Sequence, residues 1–464
     1  MIETALRIAV VLLVPFAVGA ACLRVFGHRR SDDALAWPAW SYVTGALVTG
    51  GAVASWAHLG LPLRAAGLVP ALVAVAAGAF LLSLRNSREP RPTQRTPWPL
   101  VVAVAALAAV TIDRLAVVDA RAVIRGDEAQ IWAAKAKVLF HLGRIDERFG
   151  ENAKRAGFVL HPDYPALNPL LQVWAFVVWG GASDVVGRIP IQAFTLAVVF
   201  ALAGALRRTL RPGVAAACLG LGLPSLAVPP IVETADSDVM VALGLLLAFD
   251  AWTSFAASAE GRDLARAAIG LALAAGSKHE GELLAVVSVA AGAVAMARDR
   301  ELRRRLFPTP LRLSWLALPA AAIGGTWLAN FLHGFSNDLV SNPTGKPFWV
   351  LAFAQLPDRA APVARAFAGE ILLDVGATRL VLLAFLATCV LAPRVAFAGA
   401  RLAPALALLL AIGVELLVFV GSYAPLEWHL STALLRVFSQ LVPAASLVNA
   451  QALATLVPRF AAPA

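Results

Sequence analysis

Short polar stretches interrupt an otherwise apolar chain, and their residue types suit proton transfer and anion binding. The first, VIRGDEAQIWAAKAKVLF at 123–140, holds Arg125, Asp127, Glu128, Lys135 and Lys137. ETADSDV adds Glu233, Asp236 and Asp238; SKHEGE adds Lys278, His279, Glu280 and Glu282; EWHLSTALLR adds Glu427, His429 and Arg436. Between the first two lies HPDYPALNP, with His161 and Tyr164 in a segment whose prolines argue for a rigid turn. A carboxylate beside a cavity can take a proton from an acceptor hydroxyl, while cations hold the phosphate of a leaving group. Asp127 or Glu128 suits the first task, and Lys278 and Arg436 suit the second. The acidic residues are also hard oxygen donors, so a divalent cation held by Asp127, Glu128 and Asp238 stays open, and no other cofactor is called for. Taken singly, an acidic residue at a helix end is most often a cap or a solvated loop residue, and for His161 a loop or packing role is as good a reading. The Lys-His-Glu triplet is a stronger candidate, because the apolar runs on either side are short and place it close to hydrocarbon. No phosphate-binding loop, dinucleotide fingerprint, zinc-protease motif or nucleophile elbow is present.

The elements that position these residues must be membrane helices. Hydrophobic residues make up 59% of the chain and charged residues only 15%, more apolar than a soluble core can use. Apolar runs predict about thirteen transmembrane helices, at 4–26, 35–57, 63–84, 98–119, 187–206, 213–229, 239–257, 265–277, 281–297, 313–331, 377–393, 402–421 and 437–457. The fold class expected is therefore an all-α polytopic membrane protein. The net charge of +10 is spread over short loops rather than pooled in one basic domain, so it reads as a topology signal and not as nucleic-acid binding. RVFGHRR, RNSREPRPTQR, RRTLR, RDRELRRR and PRVAFAGAR all fall on one side of the alternating spans, the cytoplasmic side. That places the N-terminus outside, the C-terminus inside, and two sizeable loops, 120–186 and 332–376, at the outer face of a multi-pass inner-membrane protein. The pattern holds if 167–181 is an interfacial helix, which its Trp174 and Trp179 suit, and not a span. The first apolar stretch lacks a basic leader and a cleavage site and reads as a retained helix. Cys22, Cys218 and Cys389 sit in apolar runs without metal or disulfide spacing. Lys135 and Lys137, two apart on a helix, point to different faces, so at most one reaches a cavity and the other meets lipid headgroups.

In this order, GDEAQIWAAKAK, HPDYPALNPLL, GRIPIQAF, ADSDVMVAL and SKHEGELL resemble the membrane-embedded glycosyltransferases of the GT-C class. The likeness is to bacterial relatives of protein O-mannosyltransferases and lipid A aminoarabinose transferases, and it covers roughly residues 98 to 300, with a looser echo in LEWHLSTALLRVFSQLVP. It implies a GT-C-like core with interfacial helices in the first large outer loop, and a sugar transfer from a polyprenyl-phosphate donor to the hydroxyl of a lipid, glycan or protein acceptor. Carried onto this chain, it implies Asp127 as the catalytic base with Glu128 as helper or sugar contact. Asp236 and Asp238 would line the same cavity, with Asp238 the better match. Lys278 would hold the donor phosphate with His279 and Glu280 nearby, Arg436 would be a second phosphate contact, and Arg188 would brace the outer loop; Tyr164 and His429 join the substrate-binding set. The organisation expected is an N-terminal three-helix extension at 1–96 outside the resemblance, a catalytic module at 97–300, and a C-terminal module at 301–464. The competing reading is a transporter or flippase, whose polar groups would be expected at mid-membrane on broken helices.

Overall fold

The computed structural model describes residues 2–28, 33–84, 96–119, 126–155, 159–222, 236–258, 260–306, 314–335, 344–369 and 377–462. Their regular structure is helical. The first four helices are α1 (Ile2–Val25), α2 (Trp37–His58), α3 (Ala65–Leu84) and α4 (Trp98–Asp119). A loop region follows, with a wide π-type turn at Glu128–Ala133 and helices α5 (Ala134–Leu142), α6 (Glu147–Arg155) and α7 (Leu167–Trp179). The middle of the chain forms α8 (Asp184–Thr209), α9 (Pro212–Gly222), α10 (Asp238–Ser258), α11 (Gly261–Ser277), α12 (His279–Arg298) and α13 (Arg300–Leu306). The last part forms α14 (Ala317–His333), α15 (Phe348–Phe367), α16 (Ala377–Leu391), α17 (Pro393–Ala396), α18 (Leu402–Gly421), α19 (Leu426–Ser439) and α20 (Val442–Leu456).

Among the described residues, eight helices are long and apolar enough to cross a membrane, or nine when the bent pair α19–α20 counts as one span. This is a polytopic α-helical membrane architecture, with fewer clear spans than the thirteen apolar runs suggest. Of the runs not among the clear spans, α11 has 17 residues, short of the roughly 20 that a bilayer needs, α2 is long enough at 22 residues but not apolar enough, and α9 and α16 each border residues outside the description. Much of the run at 213–229 lies outside the described residues.

Segment 167–181 departs from its expected place. Helix α7 does not lie on a lipid interface; it is buried along nearly its whole length and packs against α2, α5 and α8. Trp174, which suggested a headgroup position, is buried and donates its indole N–H to the carbonyl of Val11 in α1 at 3.0 Å. An apolar helix of 13 residues with tryptophans fits either setting, and the polar residues Asn168 and Gln172 decide it, because they find hydrogen-bond partners inside the protein. Gly180, at φ 88°, ends the helix in the left-handed conformation that closes a C-terminus and turns the chain into α8.

The first two helices belong to the core and are not an appendage. A Cβ on Gly19 would collide with the Ser41 carbonyl and one on Gly45 with that of Pro15, so α1 and α2 cross backbone to backbone, as small residues allow in membrane helices. The Tyr42 hydroxyl donates to the Pro190 carbonyl in α8 at 2.6 Å, and Trp37, Trp40 and Val43 share one hydrophobic cluster with α8, α10 and α11. Only α3, packed mainly on α1, is peripheral. At the end of α8 a buried ion-pair network ties these elements together. Arg208 bridges Asp33, ahead of α2, to Asp250 in α10, and Arg266 of α11 pairs with Asp263 at 3.2 Å while lying over the Trp40 ring at 4.4 Å. Asp250 stands twelve positions after Asp238, about 18 Å further along the same helix at 1.5 Å per residue. The network therefore locks the end of the bundle opposite the one where Asp238 begins α10.

Candidate functional site

Acidic and basic side chains from distant parts of the sequence meet at the other end. Gly126, at φ 59°, turns the chain into the wide helical turn, and Asp127 follows immediately. The π-type turn inserts one extra residue per turn, a feature frequent at functional sites. Asp238 begins α10. Lys278 is the single extended residue between α11 and α12, at φ −162° and ψ 156°, and its own carbonyl accepts the Glu282 N–H. Arg436 lies in the last turn of α19, shortly before the chain bends by 44° into α20, whose first turn contains Pro443.

The Arg436 guanidinium is the hub. Its Nη1 donates to Asp127 Oδ2 at 2.5 Å and stands 3.6 Å from Asp236 Oδ2, while its Nε is 3.6 Å from Asp238 Oδ2. Asp238 also accepts from Lys278 Nζ at 3.1 Å and from the Gln440 amide, and Lys278 reaches Glu280 at 2.9 Å. Ionised groups gathered this close are tolerated in an apolar surrounding because opposite charges alternate. Access is graded across the cluster. The Asp127 side chain is 38% exposed and that of Arg436 18%, while Asp238 is buried beneath them. The structure thus brings Asp127, Asp236, Asp238, Lys278, Glu280 and Arg436 into one constellation. Glu427 is exposed beyond it, and Glu233 and Arg125 lie outside the described residues.

A second layer holds this constellation in place, and several residues expected at the substrate belong to it. Glu128, expected as a catalytic helper or sugar contact, has both carboxylate oxygens on Arg188, at 2.5 and 3.0 Å, and is 3% exposed. The bidentate buried pair clamps the wide turn, and with it Asp127, to α8, and leaves little of the carboxylate within reach of solvent. His279, expected near the donor phosphate, has both ring nitrogens engaged within the protein: Nδ1 is 2.8 Å from Glu282 and Nε2 2.9 Å from Asp163. It ties the HPDYP turn to α12. Tyr164 packs within that turn, its ring 4.9 Å from His161 and from His279 and 5.6 Å from Trp132. His161 adopts φ 52°, unusual for a residue with a Cβ, and the turn is pinned from several sides. Lys135 Nζ donates to the carbonyls of Pro162 and Tyr164 at 2.8 and 2.5 Å, and the Asn330 amide donates to that of Asp163 at 2.8 Å. Burial pushes the Lys135 ammonium down to about 8, with the Asp163 carboxylate pulling the other way. Lys137, on a different face of the helix, is part-exposed and pairs with Asp184 at 2.5 Å.

The metal reading meets an obstacle in the donor set. Asp127 and Asp238 are bridged by a guanidinium and Glu128 is turned to another, so the three do not converge; among the described residues no group of three or more His, Cys, Asp or Glu is arranged to hold a metal ion.

Sequence reasoning missed Gln440, Asp163 and Glu415, and gave Lys135 no partner. Asp163 and Lys135 sit in segments already singled out, where a buried salt or hydrogen-bond partner is not visible from spacing. Glu415 carried a usable signal, a lone carboxylate inside the apolar run AIGVELLVF. It is buried in α18, within electrostatic reach of Glu280, Lys278 and Asp238.

The clamp yields a prediction. Glu128→Gln leaves the Arg188 guanidinium buried and half-compensated, and is expected to destabilise the protein by about 3 kcal/mol or more, whereas the paired change Glu128→Leu with Arg188→Leu recovers most of that loss. Thermal unfolding followed by fluorescence-detected gel filtration reads both. Recovery of most of the lost stability in the double variant, and not in Glu128→Gln alone, is the result expected of a clamp; no recovery in the double variant overturns it.

The chain matches no known family model, and no curated protein is significantly similar to it.

Proposed function

We propose that this protein is an integral-membrane glycosyltransferase that moves a sugar from a polyprenyl-phosphate donor to an acceptor hydroxyl at the outer face of the inner membrane. The observation that carries this reading is a solvent-reachable carboxylate, Asp127, paired with Arg436, which in turn shares Asp238 with a second cation, Lys278, at one end of an apolar helical bundle. A lipid-linked phosphate ester needs those surroundings: hydrocarbon for its tail, fixed positive charge for its phosphate, and a base for the incoming nucleophile. The order of motifs and their resemblance to the GT-C class support the same reading.

The chemistry follows from the roles these groups can fill. Asp127 accepts the proton of the acceptor hydroxyl as its oxygen attacks the anomeric carbon. The bond from that carbon to the phosphate oxygen breaks, and the electron pair leaves with the polyprenyl phosphate. Arg436 and Lys278 hold the charge that develops there. Arg436 is engaged with Asp127, so a phosphate binding there would compete for the guanidinium and release the carboxylate to act as base. A lipid, glycan or protein can supply the hydroxyl. The N-terminus then lies outside and the C-terminus in the cytoplasm, as the distribution of basic loops suggests.

Purified protein in lipid nanodiscs, incubated with a panel of radiolabelled polyprenyl-phosphate sugars and candidate acceptors, tests the proposal directly. Release of polyprenyl phosphate together with labelled acceptor is the expected result; absence of any turnover across the panel, with the protein folded, counts against it. One feature favours a second reading, a flippase for a lipid-linked substrate: Arg436 and Gln440 flank the break in α19–α20, and broken helices are the usual binding elements of transporters. Transbilayer movement of a fluorescent lipid phosphate without product formation would select it.

A further inference from the structure

Below the charged constellation, the side chains at the junction of α12, α18 and α19 share one chemical property: they offer acceptors that nothing in the described protein uses. Glu415 is 1% exposed, and its Oε1 has no hydrogen-bond partner among the described residues. The same holds for Glu280 Oε2, Gln440 Oε1 and His429 Nδ1. Each lies within electrostatic or hydrogen-bond reach of the charged constellation: Glu415 of Glu280, Lys278 and Asp238, His429 of Glu280, Lys278 and Arg436, and Gln440 of Asp238. Helix α18 packs against α12 and α19. Glu415 and Phe419 are four apart and therefore on one face of α18, and the His429 ring stands 4.6 Å from that of Phe419. Gln440 spends its amide on Asp238, which leaves its oxygen as the remaining polar atom. An unpaired carboxyl in an apolar span is costly, and such residues persist where a ligand or a pathway uses them.

We infer that Glu415, with Gln440 and His429, forms a subsite that accepts hydrogen bonds from the hydroxyl groups of the donor's sugar ring, directly beneath the phosphate held by Arg436 and Lys278. The assignment rests on the transferase reading and adds to it a residue that sets selectivity for the head group over the bare lipid phosphate. The chemistry fits in sign: phosphate needs donors, which Lys278 and Arg436 supply, whereas a polyol needs acceptors, which this layer supplies. Phe419 adds an apolar surface of the kind on which the C–H face of a sugar can rest.

The test compares equilibrium binding of a polyprenyl phosphate and of its hexosyl and pentosyl esters to the full-length protein in nanodiscs. Wild type is expected to prefer at least one sugar ester over the bare phosphate by roughly threefold to tenfold, the value of a neutral hydrogen bond. Glu415→Leu is expected to erase that preference, to keep the affinity for bare polyprenyl phosphate, and to unfold at the same or a higher temperature, because an unsatisfied carboxyl has been replaced by an apolar side chain. Glu415→Gln, which keeps an acceptor oxygen and the shape, is expected to retain part of the preference. A preference that survives in Glu415→Leu overturns the inference while leaving the transferase reading intact. Parallel loss of both affinities with a lower unfolding temperature also overturns it, making Glu415 a packing residue. Failure of wild type to bind any of these lipids removes the transferase reading and this subsite with it.

Discussion

Arg436→Met is expected to abolish turnover and to destabilise the protein at the same time, because one guanidinium serves both. It is the cation shared by Asp127, Asp236 and Asp238, at 2.5, 3.6 and 3.6 Å. Without it those carboxylates face one another with only Lys278 nearby, and Lys278 is already divided between Asp238 and Glu280. Removing one partner of a buried charged group typically costs about 3–5 kcal/mol. The loss in kcat/KM is expected on the order of a thousandfold, the scale for removing a cation or donor that stabilises charge on a leaving group. Arg436→Lys separates the two effects. A lysine keeps the charge and much of the stability but cannot present a planar fork to two carboxylates and then to a phosphate, so activity should fall well before the unfolding temperature does. Equal recovery of both in the lysine variant would mean that only charge matters at this position.

Asp127→Asn is expected to show the opposite profile, a large kinetic loss on an intact fold. Asparagine keeps an oxygen that can accept from Arg436 and occupies nearly the same volume, and Asp127 is the most exposed carboxylate around the guanidinium. Removing one of three negative charges from a site with an excess of acid should leave stability unchanged or slightly raised. General-base catalysis contributes about a hundredfold to ten-thousandfold, so turnover should drop by that factor while donor affinity holds or tightens. Single-turnover measurements with prebound donor would isolate the chemical step. Unimpaired transfer by the variant would move the base elsewhere, and Asp236 is the next carboxylate along the guanidinium.

The residues around Arg436 were legible in the sequence because each breaks an apolar run close to its end, and because basic loops fix which ends of the helices share a side. Asp127, Asp238, Lys278 and Arg436 all announce themselves that way. The supporting layer was not legible for a physical reason: its polar groups are satisfied by one another across long sequence distances. Nothing in GDEAQ states that Glu128 is spoken for by Arg188, and nothing in SKHEGE states that His279 is engaged by Asp163 and Glu282. Helix α7 shows the same limit in the fold. Its tryptophans and apolar length suit a membrane surface, and only the partners of Asn168, Gln172 and Trp174 reveal that the protein itself surrounds it. Periodicity and hydropathy report that a segment is shielded from water, not whether lipid or protein does the shielding.

Asp127 and Arg436 are 309 positions apart in the chain, whereas the α1–α2 crossing joins neighbours in sequence. A ribosome feeding this protein into the bilayer therefore completes a well-packed early hairpin long before the constellation can exist. The charged groups become complementary only after α19 has been delivered and docked, so a nascent or prematurely terminated chain lacking that helix cannot form the constellation, and under the proposed transferase reading it would be inactive.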